Sequence, residues 1–167
     1  MRYLFLGILS LISITLKAQD MNNPNATVVG LFVATDQQNW EQVAASFHTE
    51  VVLDYSSMNG SPAATLSPQQ IVEAWQGVLP GFEHTHHQLG NFITSEDGQT
   101  ATVFCYGTAT HYLPDEQGNV WLVVGSYDFD LVKTESGAWK ITTMTFHFKY
   151  QDGNQSLPEK AIARAKS

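Results

Sequence analysis

The stretch Glu83-His84-Thr85-His86-His87-Gln88-Leu89-Gly90-Asn91-Phe92-Ile93-Thr94 decides how the chain folds. It reads as a β-strand, so alternate side chains point to opposite sides. Thr85, His87, Leu89, Asn91 and Ile93 share one face; His84, His86, Gln88, Gly90, Phe92 and Thr94 share the other. The first face sets an imidazole and an amide among aliphatic groups. A polar group on such a face needs a partner or a cavity, because burying it unpaired costs roughly 1–3 kcal/mol.

Working outward, Glu96-Asp97-Gly98 is a hairpin turn, and Thr100 to Leu113 reads as a third strand. Its Val103, Cys105, Gly107, Ala109 and His111 share a face, and the small residues there leave room for a cavity beside a second imidazole. Val120 to Lys133 is a fourth strand, with Leu122, Val124, Ser126 and Asp128 expected on the pocket side. Trp121, Val123, Tyr127, Phe129 and Leu131 are then expected on the outside. So apolar an outer row predicts a homo-oligomer built through the back of the sheet. Trp139 to Tyr150 is a fifth strand, and residues 153–167 form a C-terminal tail with a short basic helix near Pro158–Lys166.

On the N-terminal side the pattern is helical. Asn25 can cap a helix from about Ala26 to Asp36, and Asn39 another from Trp40 to Phe47. Val51 to Ser56 alternates as the first strand, with Val51, Leu53 and Tyr55 on one side. Ser67-Pro68-Gln69-Gln70 is a helix start, with serine as cap, proline in the first turn and glutamine three residues after the cap. That helix buries Ile71, Val72, Trp75, Val78 and Leu79 and ends at Pro80-Gly81. Helices followed by long antiparallel strands predict an α+β domain over residues 26–152: a strongly curved, mainly antiparallel sheet whose N-terminal helices close a central pocket.

Residues 1–18 stand apart. Met1-Arg2 is a minimal positive start, Tyr3 to Leu16 is almost wholly apolar, and Ala18 suits signal-peptidase cleavage. The run is short of the ~20 residues of a membrane span. The expectation is a signal peptide, a flexible leader at 19–25, and a secreted or periplasmic protein with no stable membrane anchor. Removing 1–18 takes away Arg2 and Lys17 and no acid, moving the formal charge from −8 to −10. So acidic a surface argues against nucleic acid as a partner. Cys105 is the single cysteine, so an intrachain disulfide is excluded.

Several short pieces in constant order resemble the SnoaL-like branch of the nuclear transport factor 2-like superfamily, and more narrowly the scytalone dehydratases. They are Thr35-Asp36 with Trp40, Leu53-Asp54-Tyr55-Ser56, Thr85-His86-His87, His111, Ser126-Tyr127-Asp128 and Gly137-Ala138-Trp139-Lys140. The resemblance implies a cone with an internal pocket and a lyase. It implies that His87 is the base that removes a proton alpha to a ketone, that Asp36 pairs with His111, and that Tyr55 helps polarise the carbonyl. The chain departs from the dehydratases at Thr35, where they carry a second tyrosine, and at Asp128, where they carry asparagine. Both departures tell against the same substrate.

The residues themselves support acid–base chemistry, since imidazole exchanges protons near neutral pH. The expected catalytic set is His87, His111, Asp36 and Tyr55. Ser126, Asp128, Asn91, Trp75 and Phe146 are expected to bind the substrate. Structural hydrogen bonding inside a packed core is the competing reading of both histidines. His84 and His86 could hold a metal at i, i+2, but no third ligand is evident; no metal or cofactor is expected. Two functions stand: a dehydratase-like lyase or isomerase acting on a small apolar carbonyl-bearing molecule, or a non-catalytic protein that binds such a molecule in the same pocket.

Overall fold

The computed structural model describes residues 23–166, so the expected signal peptide lies outside the described residues, as does most of the leader. Helix α1 (Pro24–Asp36) begins two residues before the predicted start. Asn23, not Asn25, is its cap: the Asn23 side chain accepts from the Ala26 N–H at 2.8 Å, and Pro24 sits in the first turn, where no N–H is needed. Asn39 caps α2 (Trp40–Ser46). Strand β1 (Phe47–Asp54) follows directly, so the predicted strand moves toward the N-terminus and Tyr55 falls just beyond it, heading the short helix α3 (Ser56–Asn59). Strand β2 (Ala64–Leu66), too short to leave a periodic signal, pairs antiparallel with β1. Ser67 and Gln70 form the predicted reciprocal capping box of α4 (Pro68–Gln76), and a 3-10 turn covers Leu79–Gly81.

Four long strands complete the sheet: β3 (His84–Glu96), β4 (Thr100–Tyr112), β5 (Val120–Lys133) and β6 (Trp139–Gly153). The spatial order is β2-β1-β6-β5-β4-β3. Every neighbouring pair is antiparallel except β1 and β6, which run parallel. The tail is ordered as α5 (Leu157–Ala165), whose Leu157 and Ala161 are fully buried. The result is an α+β domain with a curved, open, mixed sheet. Among the described residues no helix is long and apolar enough to cross a membrane.

Two features of register overturn expectations. First, His111 lies opposite Trp121 across the β4–β5 ladder, and Cys105 lies opposite Tyr127. Directly opposed residues share a face. With His111 inside, Trp121, Val123, Tyr127, Phe129 and Leu131 are therefore the inner row of β5, and all five are buried. Ser126 and Asp128 point to the convex side. The apolar row expected on the outside is core, so the stated ground for self-association through the sheet's back disappears.

Second, β3 carries a bulge. Gly90 pairs with Tyr106, but the next pair is Ile93 with Phe104, one residue out of step. Asn91 occupies the bulge with φ +54°, a left-handed conformation that asparagine tolerates better than most residues. The extra residue flips the pattern beyond it. Phe92 turns toward the core and Ile93 is left 70% exposed.

Candidate functional site

A cavity of about 260 Å3 lies between the concave face of the sheet and the helices. The sheet contributes His87, Ala109, His111, Trp121, Val123, Tyr127 and Phe146. Phe32 and Thr35 of α1, Tyr55 and Met58, and Ala74 and Trp75 of α4 close it from the other side, with Val78 and Leu79 at the turn. Glycines set its depth. A Cβ on Gly107 would lie 2.4 Å from Cε2 of Tyr127, and one on Gly125 would lie 2.3 Å from Cε2 of Phe146. Both rings thus lie down on bare backbone, which any larger residue would block.

The polar centre of the cavity is Asp36 with His87. Asp36 is the last residue of α1, where the partial negative charge of the helix end disfavours a carboxylate. Three donors offset that. The His87 ring nitrogen Nδ1 lies 2.7 Å from Oδ1, the His87 backbone N–H donates to Oδ2 at 2.7 Å, and the Thr85 hydroxyl donates to Oδ1 at 2.9 Å. Burial alone would raise the Asp36 carboxyl, but the hydrogen bonds and charge of His87, with Thr85, outweigh it and hold the group below its usual value. A carboxylate only accepts, so the His87 proton belongs on Nδ1 and the lone pair on Nε2. His87 and Asp36 side chains keep 11% and 18% of their surface.

This pairing corrects the expected one. Asp36 holds His87, not His111. His111 instead sets its Nδ1 3.4 Å from the Trp121 carbonyl oxygen and packs against both Phe82 and Trp121, at ring-centre distances of 4.9 and 4.6 Å. Burial, then the nearby His87, pushes its pKa down to about 4, against smaller opposing effects from the Trp121 carbonyl and Asp36. The two imidazoles meet edge to face, with centres 5.8 Å apart. They therefore converge in one cavity with unlike partners: one ring is held by a carboxylate, the other is buried neutral.

A pH dependence of stability follows. The unfolded chain protonates His111 near its ordinary value of 6.5, while the folded ring waits until about 4. Between those values the unfolded state holds the extra proton. Stability is therefore full above pH 6.5, falls as the pH drops and levels off below pH 4, a loss of ~3 kcal/mol from this one ring. Chemical denaturation at stepped pH is expected to show the decline in the wild type and a flatter profile in His111→Gln.

Other predicted site residues divide. Trp75, Phe146 and Tyr55 line the cavity. Asn91 sits exposed on the β3 bulge, away from it. Ser126 lies on the convex face opposite His147, and Asp128 is exposed there with its Oδ2 2.7 Å from Nε2 of His147. These three are removed from the pocket by register. His84 and His86 are exposed on the convex side, and no cluster of three or more metal-ligating side chains occurs among the described residues. Thr35 reaches the cavity wall, but its hydroxyl donates to the Leu31 carbonyl at 2.8 Å. Tyr127, Trp121 and Phe32 were missed. The signal for the first two was present: the more apolar of two strand faces belongs inside.

No curated protein matches the sequence. Solved structures do. A Kribbella flavida protein, Kfla4162, superposes with a TM-score of 0.69 at 23% identity, over 86% of this chain and 97% of its own. A Novosphingobium aromaticivorans protein provisionally assigned as an aromatic ring hydroxylase gives 0.67 at 24% identity, over 84% and 92%. A second protein of that organism, provisionally assigned as a scytalone dehydratase, gives 0.67 at 20% identity, over 78% and 85%. At these identities the likeness is one of fold. The profile of the SnoaL-like domain matches residues 20–145, most of the sequence. The chain belongs to the SnoaL-like domain family, within the nuclear transport factor 2-like fold.

Proposed function

We propose that the cavity is an acid–base active site of the lyase or isomerase type. The observation that carries this is the Asp36–His87 dyad: a carboxylate holds Nδ1 of a ring that lines an apolar, ligand-sized hollow, which leaves Nε2 to act as the base there. In that setting Nε2 removes a proton from a carbon next to a carbonyl, and Asp36 stabilises the imidazolium that forms. Tyr55 donates to the carbonyl oxygen as it gains charge. Burial raises the Tyr55 hydroxyl well above its usual pKa, so it stays a neutral donor. The imidazolium then returns the proton. Delivered to a departing β-hydroxyl, it gives water and a new double bond; delivered to another carbon, it gives an isomer. His111, neutral across the working range, holds the ligand by hydrogen bonding and carries no charge to it.

The likeness to a protein provisionally assigned as a scytalone dehydratase supports this class of reaction. So does the lining: among the described residues no lysine or arginine borders the cavity, which fits an uncharged, largely apolar ligand. The sequence of residues 1–18 supports export of the protein, and the intact mass of the chain recovered from the periplasm or medium tests it, with a start at Gln19 expected.

The chemistry is tested without knowing the natural substrate. β-Tetralone, a small cyclic ketone, is incubated with the protein in deuterium oxide, and loss of its α-proton signal is followed by NMR. The wild type is expected to speed exchange, and His87→Ala to lower the rate by roughly a hundred- to ten-thousandfold. Unchanged exchange in that variant defeats the proposal. Binding without exchange in the wild type makes the protein a carrier of the same ligands.

A further inference from the structure

The dyad is not the cavity's whole polar content. Tyr127, on the inner face of β5, is 5% exposed, and among the described residues its hydroxyl has no hydrogen-bond partner. No fully enclosed side-chain oxygen or nitrogen in the described residues lacks a partner. The Tyr127 hydroxyl must therefore keep some open surface, and the space its residue borders is the cavity. Tyr55 is in the same position: it lines the cavity and its hydroxyl has no partner among the described residues. Both rings pack on Phe146, at centre distances of 4.8 Å for Tyr127 and 5.7 Å for Tyr55. Phe32 packs on both Tyr127 and the base, 5.1 Å from each ring centre. Gly107 gives the Tyr127 ring its berth, so the position of the phenol is built into two strands.

An unpaired hydroxyl facing water loses nothing. Once an apolar ligand displaces that water, the same hydroxyl is stranded unless the ligand supplies an acceptor. We infer that Tyr127, with Tyr55, forms a subsite for one uncharged oxygen of the ligand, so that the cavity prefers an oxygen-bearing ring to the matching hydrocarbon. A carboxylate at that oxygen is disfavoured, since among the described residues no lysine or arginine borders the site to balance it. Burial raises the Tyr127 hydroxyl far above its ordinary pKa, which keeps it a donor at any working pH. The inference rests on the cavity being a ligand site, as proposed above, but not on turnover.

Trp75 and Trp121 border the cavity, so ligand binding can be followed by tryptophan fluorescence. β-Tetralone, tetralin and the tetralin carboxylate are titrated into wild type, Tyr127→Phe and Tyr55→Phe, each of which keeps its ring. Tyr127→Phe is expected to weaken the ketone by about five- to tenfold while tetralin binds unchanged or more tightly. The wild type is expected to take the carboxylate least of the three. An equal change for ketone and hydrocarbon, no change for either, or a wild type that takes neither probe overturns the subsite. The proton-exchange assay separates this from the catalytic reading. Absent exchange with a shifted ketone preference leaves the subsite and removes the catalysis; exchange with an unshifted preference does the reverse.

Discussion

Asp36→Asn is expected to lower α-proton exchange by roughly a hundred- to ten-thousandfold while the protein stays folded. The reason is that asparagine can satisfy only half of what the carboxylate does. Asp36 accepts on both oxygens: His87 Nδ1 and the Thr85 hydroxyl at Oδ1, and the His87 backbone N–H at Oδ2. If the amide oxygen replaces Oδ1, the amide NH2 faces a backbone N–H across 2.7 Å, donor against donor. If the amide is turned the other way, NH2 faces Nδ1. The ring must then move its proton to Nε2, and the lone pair that faces the cavity is gone. The second arrangement keeps the His87 backbone N–H paired and costs only the Thr85 hydroxyl its acceptor, a group that can rotate to accept from the NH2 instead, so it wins, and the base is lost through the tautomer rather than through the fold. Nitrogen chemical shifts of the His87 ring read this directly: the wild type is expected to be protonated on Nδ1 and Asp36→Asn on Nε2. A variant with the wild-type tautomer and full exchange would remove Asp36 from the mechanism. Had Asp36 served His111, as the resemblance implied, the His87 shifts would not move.

The same comparison shows what the sequence made legible. Periodicity and capping residues gave the order of helices and long strands, because Ser67-Pro68 and Asn39 act locally, within one turn of chain. His87 and His111 meet at the cavity, as the alternation of their strands implied, and Tyr55, Trp75 and Phe146 line it with them, Tyr55 from the head of α3 rather than from the predicted strand. What failed was non-local. The face of β5 follows from its pairing with β4, and that register is set by the turn between Leu113 and Asn119, where the Leu113 N–H donates to the Asn119 carbonyl. Strand alternation alone leaves open which face is inside; placing the polar Ser126 and Asp128 toward the pocket chose the wrong one, and it left the apolar row of Trp121 to Leu131 to be explained as an interface. Asn91 failed for a different reason: one extra residue in β3 is invisible to a pattern of period two until the partner strand is known. The dyad partner of Asp36 was decided by where the end of α1 lands on β3, a contact between residues about fifty positions apart.

The tail is where stability is most exposed to a single methyl group. Gly81→Ala is expected to cost about 3 kcal/mol and lower the melting temperature by ~10 °C. A Cβ at Gly81 would lie 1.9 Å from the carbonyl oxygen of Ala161, 2.5 Å from its carbonyl carbon and 2.7 Å from its Cα. All three are backbone atoms of α5, so no side chain can rotate away. The helix must shift as a body, and its fully buried Leu157 and Ala161 shift with it. The disturbance reaches the site, because the 3-10 turn that ends at Gly81 carries Leu79 on the cavity wall. It also leads into Phe82, which packs on His111. Two second-site variants identify the cause. Ala161→Gly is not expected to restore stability, since the side chain it removes is not among the atoms touched. A chain ended at Asn154 is expected to be less stable than the wild type but nearly indifferent to Gly81→Ala, because the obstacle has gone with α5. Thermal unfolding of the wild type, Gly81→Ala, Gly81→Ala with Ala161→Gly, and the chain ended at Asn154 with and without Gly81→Ala measures all of this. A Gly81→Ala protein that melts with the wild type would mean that α5 does not hold the turn, and that the cavity end at Leu79 is supported by the sheet and α4 alone.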